Sequence, residues 1–420
     1  GAEGPVMNFK GLGNEFFYHL DPDDRSQYRD YTGCGNTVNC NHPLVARFIL
    51  ECMEYWVRDM HVDGFRLDLA SVLARGEDGE PMYHAPVLWS TEFSTTLANT
   101  HLIAEAWDAA GLYQVGDFPG YRWAEWNGDY RDTVRGFLRG DDGLISRVAS
   151  RLAGSSDLYA AAGRLPVNSI NFITSHDGFT LLDLFSYQHK HNEPNGEGNR
   201  DGHNHNLSWN GGYEGPTSDN KLNSMRSQQA KNAMAILMLS QGVPMLLAGD
   251  EVLRSQQGNN NAYCQDNPTG WFDWSLVRPN AGMLRFVREL VRLRKRRPSL
   301  RRHRFLTGAS GRGGNDHPDI AWFGARLATP DWHLPGADLL AGTLAGHAAD
   351  EPMLHFVFNM GEESQAVRLP AGTWRVVIDT SRPSPEDINP PAPVRQIRGR
   401  RMMVRARAVV ALEREPPAKS

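Results

Sequence analysis

Apolar residues in this 420-residue chain follow two periods, and the change from one to the other divides it. From Pro43 onward, Val45, Phe48, Ile49, Cys52, Met53, Trp56 and Val57 recur at helical spacing, with Asn41-His42-Pro43 supplying the start of an amphipathic helix. Apolar runs at 62–68, 101–105, 168–175 and 244–247, and a short one near 123–126, then alternate with helix-like stretches near 85–97, 130–139, 144–160, 222–240 and 281–296. Strands separated by helices predict a parallel α/β sheet, each strand buried on both faces. After Arg297-Pro298 the pattern shortens to alternating runs at 320–323, 354–359, 365–369, 374–379, 402–405 and 408–412, which predict an antiparallel β-sandwich. The boundary falls near 298–305, giving one domain over 1–300 and a second over 301–420. Residues 1–40 and 188–220 are rich in Gly, Asn and Asp and read as loop; a loop as long as the second is usually functional.

Composition removes several function classes. Forty-four basic residues against 49 acidic ones give a net charge of −5, so no basic field calls for nucleic acid or an anionic membrane. The longest apolar stretch, 233–249, is broken by Ser240, Gln241, Gly242 and Pro244, well short of the roughly 20 residues a membrane span needs. The chain reads as soluble and cytoplasmic, with Cys34, Cys40, Cys52 and Cys264 as reduced thiols. The basic stretch Arg292–Arg304 begins in the last turns of a helix, where the dipole favours cations. His189, His191, His203 and His205 share a Gly/Asn-rich loop without cysteine, so no zinc is predicted. Loop carboxylates show no definite calcium site, and G-D-D-G at 140–143 lacks the Lys-Ser/Thr of a phosphate loop. No cofactor and no metal site are expected, and the oligomeric state is left open.

The candidate chemistry lies where apolar runs end on an acid: V-D-G-F-R-L-D at 62–68, H-L-I-A-E at 101–105 and I-N-F-I-T-S-H-D at 170–177. An unpaired acid beside a core is costly, and three in order predict one site at the C-terminal ends of parallel barrel strands. Strand alternation puts Arg66 and Asp68 on one face, where the guanidinium keeps Asp68 ionised and fit to act as a nucleophile. Glu105 follows Leu102-Ile103-Ala104, an apolar setting that raises its pKa and favours proton donation. Trp107, two residues on, offers an indole face against which a sugar can stack. His176 and Asp177 could bind vicinal hydroxyls, with Asp177 placing charge near an oxocarbenium ion. A charged carboxylate and a protonatable one form the pair that glycoside hydrolysis uses.

The segments D-G-F-R-L-D, I-A-E-A-W-D and T-S-H-D-G-F resemble the second, third and fourth signature regions of the α-amylase superfamily, glycoside hydrolase family 13. More narrowly, D-Y-T-G-C-G-N-T-V-N-C-N-H-P at 30–43, Y-Q-V-G-D-F-P at 113–119, H-K-H-N-E-P-N-G-E-G-N-R-D-G at 189–202 and the stretch G-D-E…Q-G-N-N-N-A-Y-C-Q-D-N at 249–267 resemble bacterial glycogen debranching enzymes of the isoamylase type. The resemblance implies that Asp68 is the nucleophile, Glu105 the general acid/base and Asp177 the transition-state stabiliser of a retaining α-1,6-glucosidase acting on glycogen or limit dextrin. Arg66 and His176 match partners in the sugar subsite, and Asp250, Glu251, Asn260 and Tyr263 fall where branch contacts are expected. The family's first signature region, a strand ending D-x-x-x-N-H, is absent. The expected fold is therefore a partial TIM (β/α)8 barrel lacking about its first three strands, followed by the β-sandwich. Two other readings stay open: a maltooligosaccharide hydrolase of α-1,4 or trehalose-pathway type, and an inactive glycan-binding remnant.

Overall fold

The computed structural model describes residues 3–310, 317–347, 350–389, 396–397 and 399–414. The chain divides into two compact units, one of residues 1–127 with 156–170, the other of 128–155 with 171–420.

In the first unit, strands β1 (Gly64–Leu67), β2 (His101–Ala104), β3 (Ala124–Trp126) and β4 (Ser169–Asn171, its last residue falling in the second unit) run parallel in that order. Helices Pro43–Arg58 and Pro86–Phe93 both start on proline, whose fixed φ and missing N–H suit a first helical turn. Leu88, Leu97, Leu102, Phe118 and Trp123 fill the core. Two expectations are corrected. β1 is only half-buried along its length rather than buried on both faces. Within the predicted opening loop, Asn8–Phe17 is helical with a kink at Gly13, and Phe9 and Phe17 stack at 4.5 Å and meet Phe48 edge-on at 5.4 and 6.0 Å.

Gly64 sits where β1 and β2 approach too closely for a side chain. A Cβ there would lie 2.5 Å from the His101 carbonyl oxygen. Because the obstacle is backbone, Gly64→Ala is expected to lower stability by about 1–3 kcal/mol, measurable as a fall in denaturation midpoint; an unchanged midpoint would contradict this packing.

The second unit holds helices Gly128–Arg139, Ile145–Leu152, Asn220–Leu239 and Ala281–Lys295 and the short strand β5 (Val243–Pro244). The helix predicted over 144–160 breaks after Leu152, where Gly154 and Ser155 take positive φ, and resumes as Ser156–Tyr159. β4 is also shorter than the predicted 168–175; beyond it Met245 donates its amide to Asn171 at 2.8 Å. Among the described residues eight antiparallel strands follow: β6 (Ile320–Phe323), β7 (Leu339–Leu344), β8 (Leu354–Asn359), β9 (Gln365–Arg368), β10 (Trp374–Asp379), β11 (Gln396–Ile397), β12 (Arg401–Val404) and β13 (Ala408–Arg414). They form a six-stranded sheet in the order β11-β10-β13-β8-β7-β6 and a β12-β9 pair. Leu339, Val357, Val367, Trp374, Met402 and Leu412 pack between them, as the sandwich pattern predicts. β7 is additional to the expected strands: its Leu-Leu-Ala-Gly-Thr-Leu carries Ala341 and Gly342, weak strand formers, at its centre. Leu290 and Ile236 of the helices share a core with Phe356 and Val377 of the sheet, so this unit runs through the predicted boundary near residue 300.

Two buried histidines give the fold an acid-sensitive component. Burial pushes His355, on β8, down to about 3, and His19, in the first unit, down to about 4. The unfolded chain binds those protons near pH 6.5, whereas the folded chain refuses them until far lower pH. Stability therefore falls as pH drops from about 6.5 toward 3–4, the interval in which the unfolded state binds more protons. His355→Gln is expected to flatten this slope in the second unit; an unaltered stability–pH profile would contradict it.

No helix among the described residues is long and apolar enough to cross a membrane.

Candidate active site

β1 and β2 pair in the register Arg66↔Ile103 and Leu67↔Ala104. The chain leaves β1 at Asp68 and β2 at Glu105, so the two acids emerge from neighbouring strand ends. Arg66 meets both. Its Nη1 lies 2.5 Å from Asp68 Oδ1 and its Nη2 3.0 Å from Glu105 Oε2. The Arg66 guanidinium also lies over the Trp126 ring, 4.0 Å from its centroid, a cation–π contact supplied by the end of β3.

The carboxylates differ sharply in environment. Asp68 is 71% exposed in its side chain, Glu105 only 3%. Leu69, between them in space, adopts the left-handed conformation at φ 40° and ψ 48°, uncommon for a leucine. That turn aims its amide at Glu105 Oε2, 2.7 Å away. The sequence placed Arg66 beside Asp68 alone and Glu105 in a purely apolar setting; the structure corrects this, since Glu105 shares the guanidinium and takes a backbone amide. Trp107 stacks on Tyr113 with ring centroids 6.2 Å apart and planes 12° from parallel, and Tyr113 is half-exposed.

His176 and Asp177 lie in the second unit, on irregular chain beyond β4, both with about half of their side chains exposed. His176 Nε2 is 3.6 Å from Asp177 Oδ1, too long for a hydrogen bond. The turn is pinned from behind: Gly178, at φ 91°, donates its amide to the Asn260 carbonyl at 2.9 Å. Burial lowers the pKa of His203, aided by Arg131 and Arg135 and opposed by the Asp177 charge.

Of the four expected branch contacts, two are interior. Asn260 is buried, its Oδ1 accepting from Asn192 and its Nδ2 donating to the His203 carbonyl and to Asn206 at 2.8 and 2.9 Å. Asp250 is buried too, accepting from the Thr174 hydroxyl and from the Leu181 amide at 2.9 Å, and burial pushes its carboxyl up to about 7. Both therefore brace loops and offer no accessible polar atom to a sugar. Glu251 accepts from the Gly249 amide at 2.8 Å, and Tyr263, 69% exposed, donates to Glu197 at 3.1 Å.

Sequence reasoning missed several buried acids, Asp183 and Glu125 among them. Asp183 accepts from the Ser255 hydroxyl and the Gln256 amide at 2.5 and 2.7 Å, shaping the 255–260 loop. Glu125 pairs with Arg164 in the first unit's interior. Each sits in an apolar run beside partners distant in sequence, so no local signal marks it. The histidine-rich loop is held by amides, including Asn192, Asn195 and Asn199. Among the described residues no group of three or more His, Cys, Asp and Glu could hold a metal ion.

Two acids thus follow the C-terminal ends of neighbouring parallel strands, with Arg66 bridging them. In sequence the chain is similar to proteins named as isoamylases and glycogen debranching enzymes. It is 45% identical to the glycogen operon protein GlgX homolog of Mycobacterium tuberculosis over 90% of this chain and 55% of that protein. It is 42% identical to the chloroplastic isoamylase SU1 of Zea mays over 92% of this chain and 50% of that protein. The chain thus spans about half the length of these relatives. The pullulanase of Bacillus acidopullulyticus matches 97% of the chain, and 44% of its own, with a TM-score of 0.71 at 22% identity, a likeness of fold. No protein-family model matches the chain.

Proposed function

We propose that the chain carries the catalytic machinery of a debranching α-1,6-glucosidase acting on glycogen or limit dextrin. The observation that carries this reading is the single Arg66 guanidinium holding an exposed and a buried carboxylate at adjacent strand ends. Retaining hydrolysis needs such a pair about 5–5.5 Å apart, one to attack and one to move protons.

In this mechanism Asp68, oriented by Arg66, attacks the anomeric carbon as Glu105 protonates the departing glycosidic oxygen. The Leu69 amide and the Arg66 guanidinium hold Glu105 through Oε2. The resulting glucosyl–Asp68 ester is then attacked by water, whose proton returns to Glu105, and two inversions give net retention. Asp177 is the proposed stabiliser of the oxocarbenium-like state and His176 a hydroxyl contact, both resting on the T-S-H-D segment. Trp107, Glu251 and Tyr263 are candidate sugar contacts. The chemistry draws on carboxylates and calls for no cofactor. On this reading β1–β5 are strands of a TIM barrel; residues 1–300 are the catalytic portion, 301–420 a β-sandwich, and the compartment is the cytoplasm.

The deciding assay incubates the 420-residue chain separately with a branched limit dextrin and with amylose. Release of linear maltooligosaccharides from the dextrin, with amylose left at full length, is expected. Shortened amylose would instead indicate α-1,4 hydrolysis, and dextrin binding without turnover would indicate a glycan-binding remnant.

A further inference from the structure

The loop between β5 and the helix Ala281–Lys295 leaves two indoles in solvent. Trp271 is 55% exposed and Trp274 76%, and folding ordinarily hides most of so large a ring. Both are nevertheless held in place. The Trp271 indole N–H donates to Asp266 at 2.9 Å. Trp274 opens a short 3-10 turn, Trp274–Val277, capped by Asp273, which accepts from the Ser275 amide and hydroxyl at 2.9 and 2.6 Å. Its ring centroid lies 4.6 Å from that of Phe272. These three aromatics line a cavity of about 690 Å³, together with Leu253, Arg254 and Gln257 from the start of the loop. Buried Arg254 ties the two segments together, donating to the Gln256 side chain at 3.0 Å and reaching the Gly270 carbonyl at 3.5 Å.

We propose that this cavity is an outer binding site for a linear α-1,4-linked glucan segment, anchoring one chain of the branched substrate away from the point of cleavage. The apolar faces of successive glucose rings suit fixed, exposed indoles, which lose little conformational freedom on binding. Gln257 and Asp273, both exposed, bring an amide and a carboxylate to the same cavity, where sugar hydroxyls need partners. The volume lies within the roughly 300–1,000 Å³ typical of small-molecule sites. The loop also connects this cavity to the turn carrying His176 and Asp177. Asp183 accepts from the Ser255 hydroxyl and the Gln256 amide, and the Asn260 carbonyl accepts from Gly178. Leu182, just after that turn, lines the cavity itself. All of these residues belong to the second unit. The choice of a glucan as occupant rests on the glucosidase reading above.

The test is calorimetric titration of the 420-residue chain with maltoheptaose and with glucose, alongside Trp271→Ala/Trp274→Ala and Trp271→Phe/Trp274→Phe. Saturable binding of maltoheptaose is expected, with none of glucose, weakened about tenfold or more in the alanine variant as two stacking faces are lost. The phenylalanine variant should recover most of the affinity, which a merely structural role for the indoles would not require. Kinetics on limit dextrin should show the alanine variant raised in KM and unchanged in kcat. Maltoheptaose binding that depends on these indoles, in a chain that cleaves nothing, would keep the site and remove the glucosidase reading. Normal cleavage with equal maltoheptaose affinity in the alanine variant would overturn the site and keep that reading. Absence of saturable maltoheptaose binding would overturn the site as well. So would self-association of the chain that the alanine substitutions abolish and maltoheptaose does not disturb, because the indoles would then belong to an interface between two copies.

Discussion

Asp68→Asn is expected to lower kcat on a branched dextrin by about 10⁴–10⁶-fold while leaving KM and thermal stability close to wild type. The side chain is mostly exposed, so its replacement by an isosteric amide perturbs little packing. The amide oxygen can still accept from Arg66, which preserves the local geometry. What disappears is the nucleophile, and with it the covalent half of the mechanism. Glu105→Gln removes a different step: it cannot protonate a sugar leaving group, yet it should keep a first step with α-glucosyl fluoride, whose fluoride departs without that help. An Asp68→Asn chain retaining more than a few per cent of wild-type kcat would remove Asp68 from the chemistry.

Arg164→Ala is expected to cost about 3–5 kcal/mol of stability at neutral pH. Glu125 and Arg164 are buried together, and Arg164 also donates to the carbonyls of Phe118 and Gly120. Burial raises the Glu125 carboxyl, an effect opposed by Arg164 and by the Gly116 amide on Oε2 at 2.6 Å. A carboxyl raised by folding is best tolerated below its unfolded pKa, in the protonated form, and costs stability as pH rises through its folded pKa. Removing Arg164 raises it further, so the variant's deficit should be largest at neutral pH and shrink on acidification. Replacing both partners with apolar residues should cost less than Arg164→Ala alone, because no buried charge is then left unpaired. A loss under about 1 kcal/mol, or one independent of pH, would contradict this reading of the pair.

The sequence made the strand-end acids legible because an acid closing an apolar run is a local pattern, and β1 and β2 end one residue before Asp68 and Glu105. The double grip of Arg66 was not legible. It depends on the β1–β2 register and on the left-handed turn at Leu69, neither of which the two segments encode separately. Asp250 and Asn260 misled for the converse reason: polar residues after a strand look like site residues, and only tertiary packing shows Thr174, Leu181, Asn192 and Asn206 consuming them. Helices with a clear apolar stripe, such as Pro43–Arg58, were legible nearly to the residue, whereas β7, with Ala341 and Gly342 at its centre, lacked the residues that mark a strand.

The central claim is that Asp68 forms a covalent bond to the sugar, and peptide mass mapping of an accumulated intermediate tests it most directly. Glu105→Gln forms the ester from α-glucosyl fluoride but lacks the base that activates water for its breakdown. Digestion after brief incubation should give a single hexosyl adduct on the peptide containing Asp68. An adduct on another carboxylate, or turnover of the fluoride with no adduct and inverted product, would contradict the account.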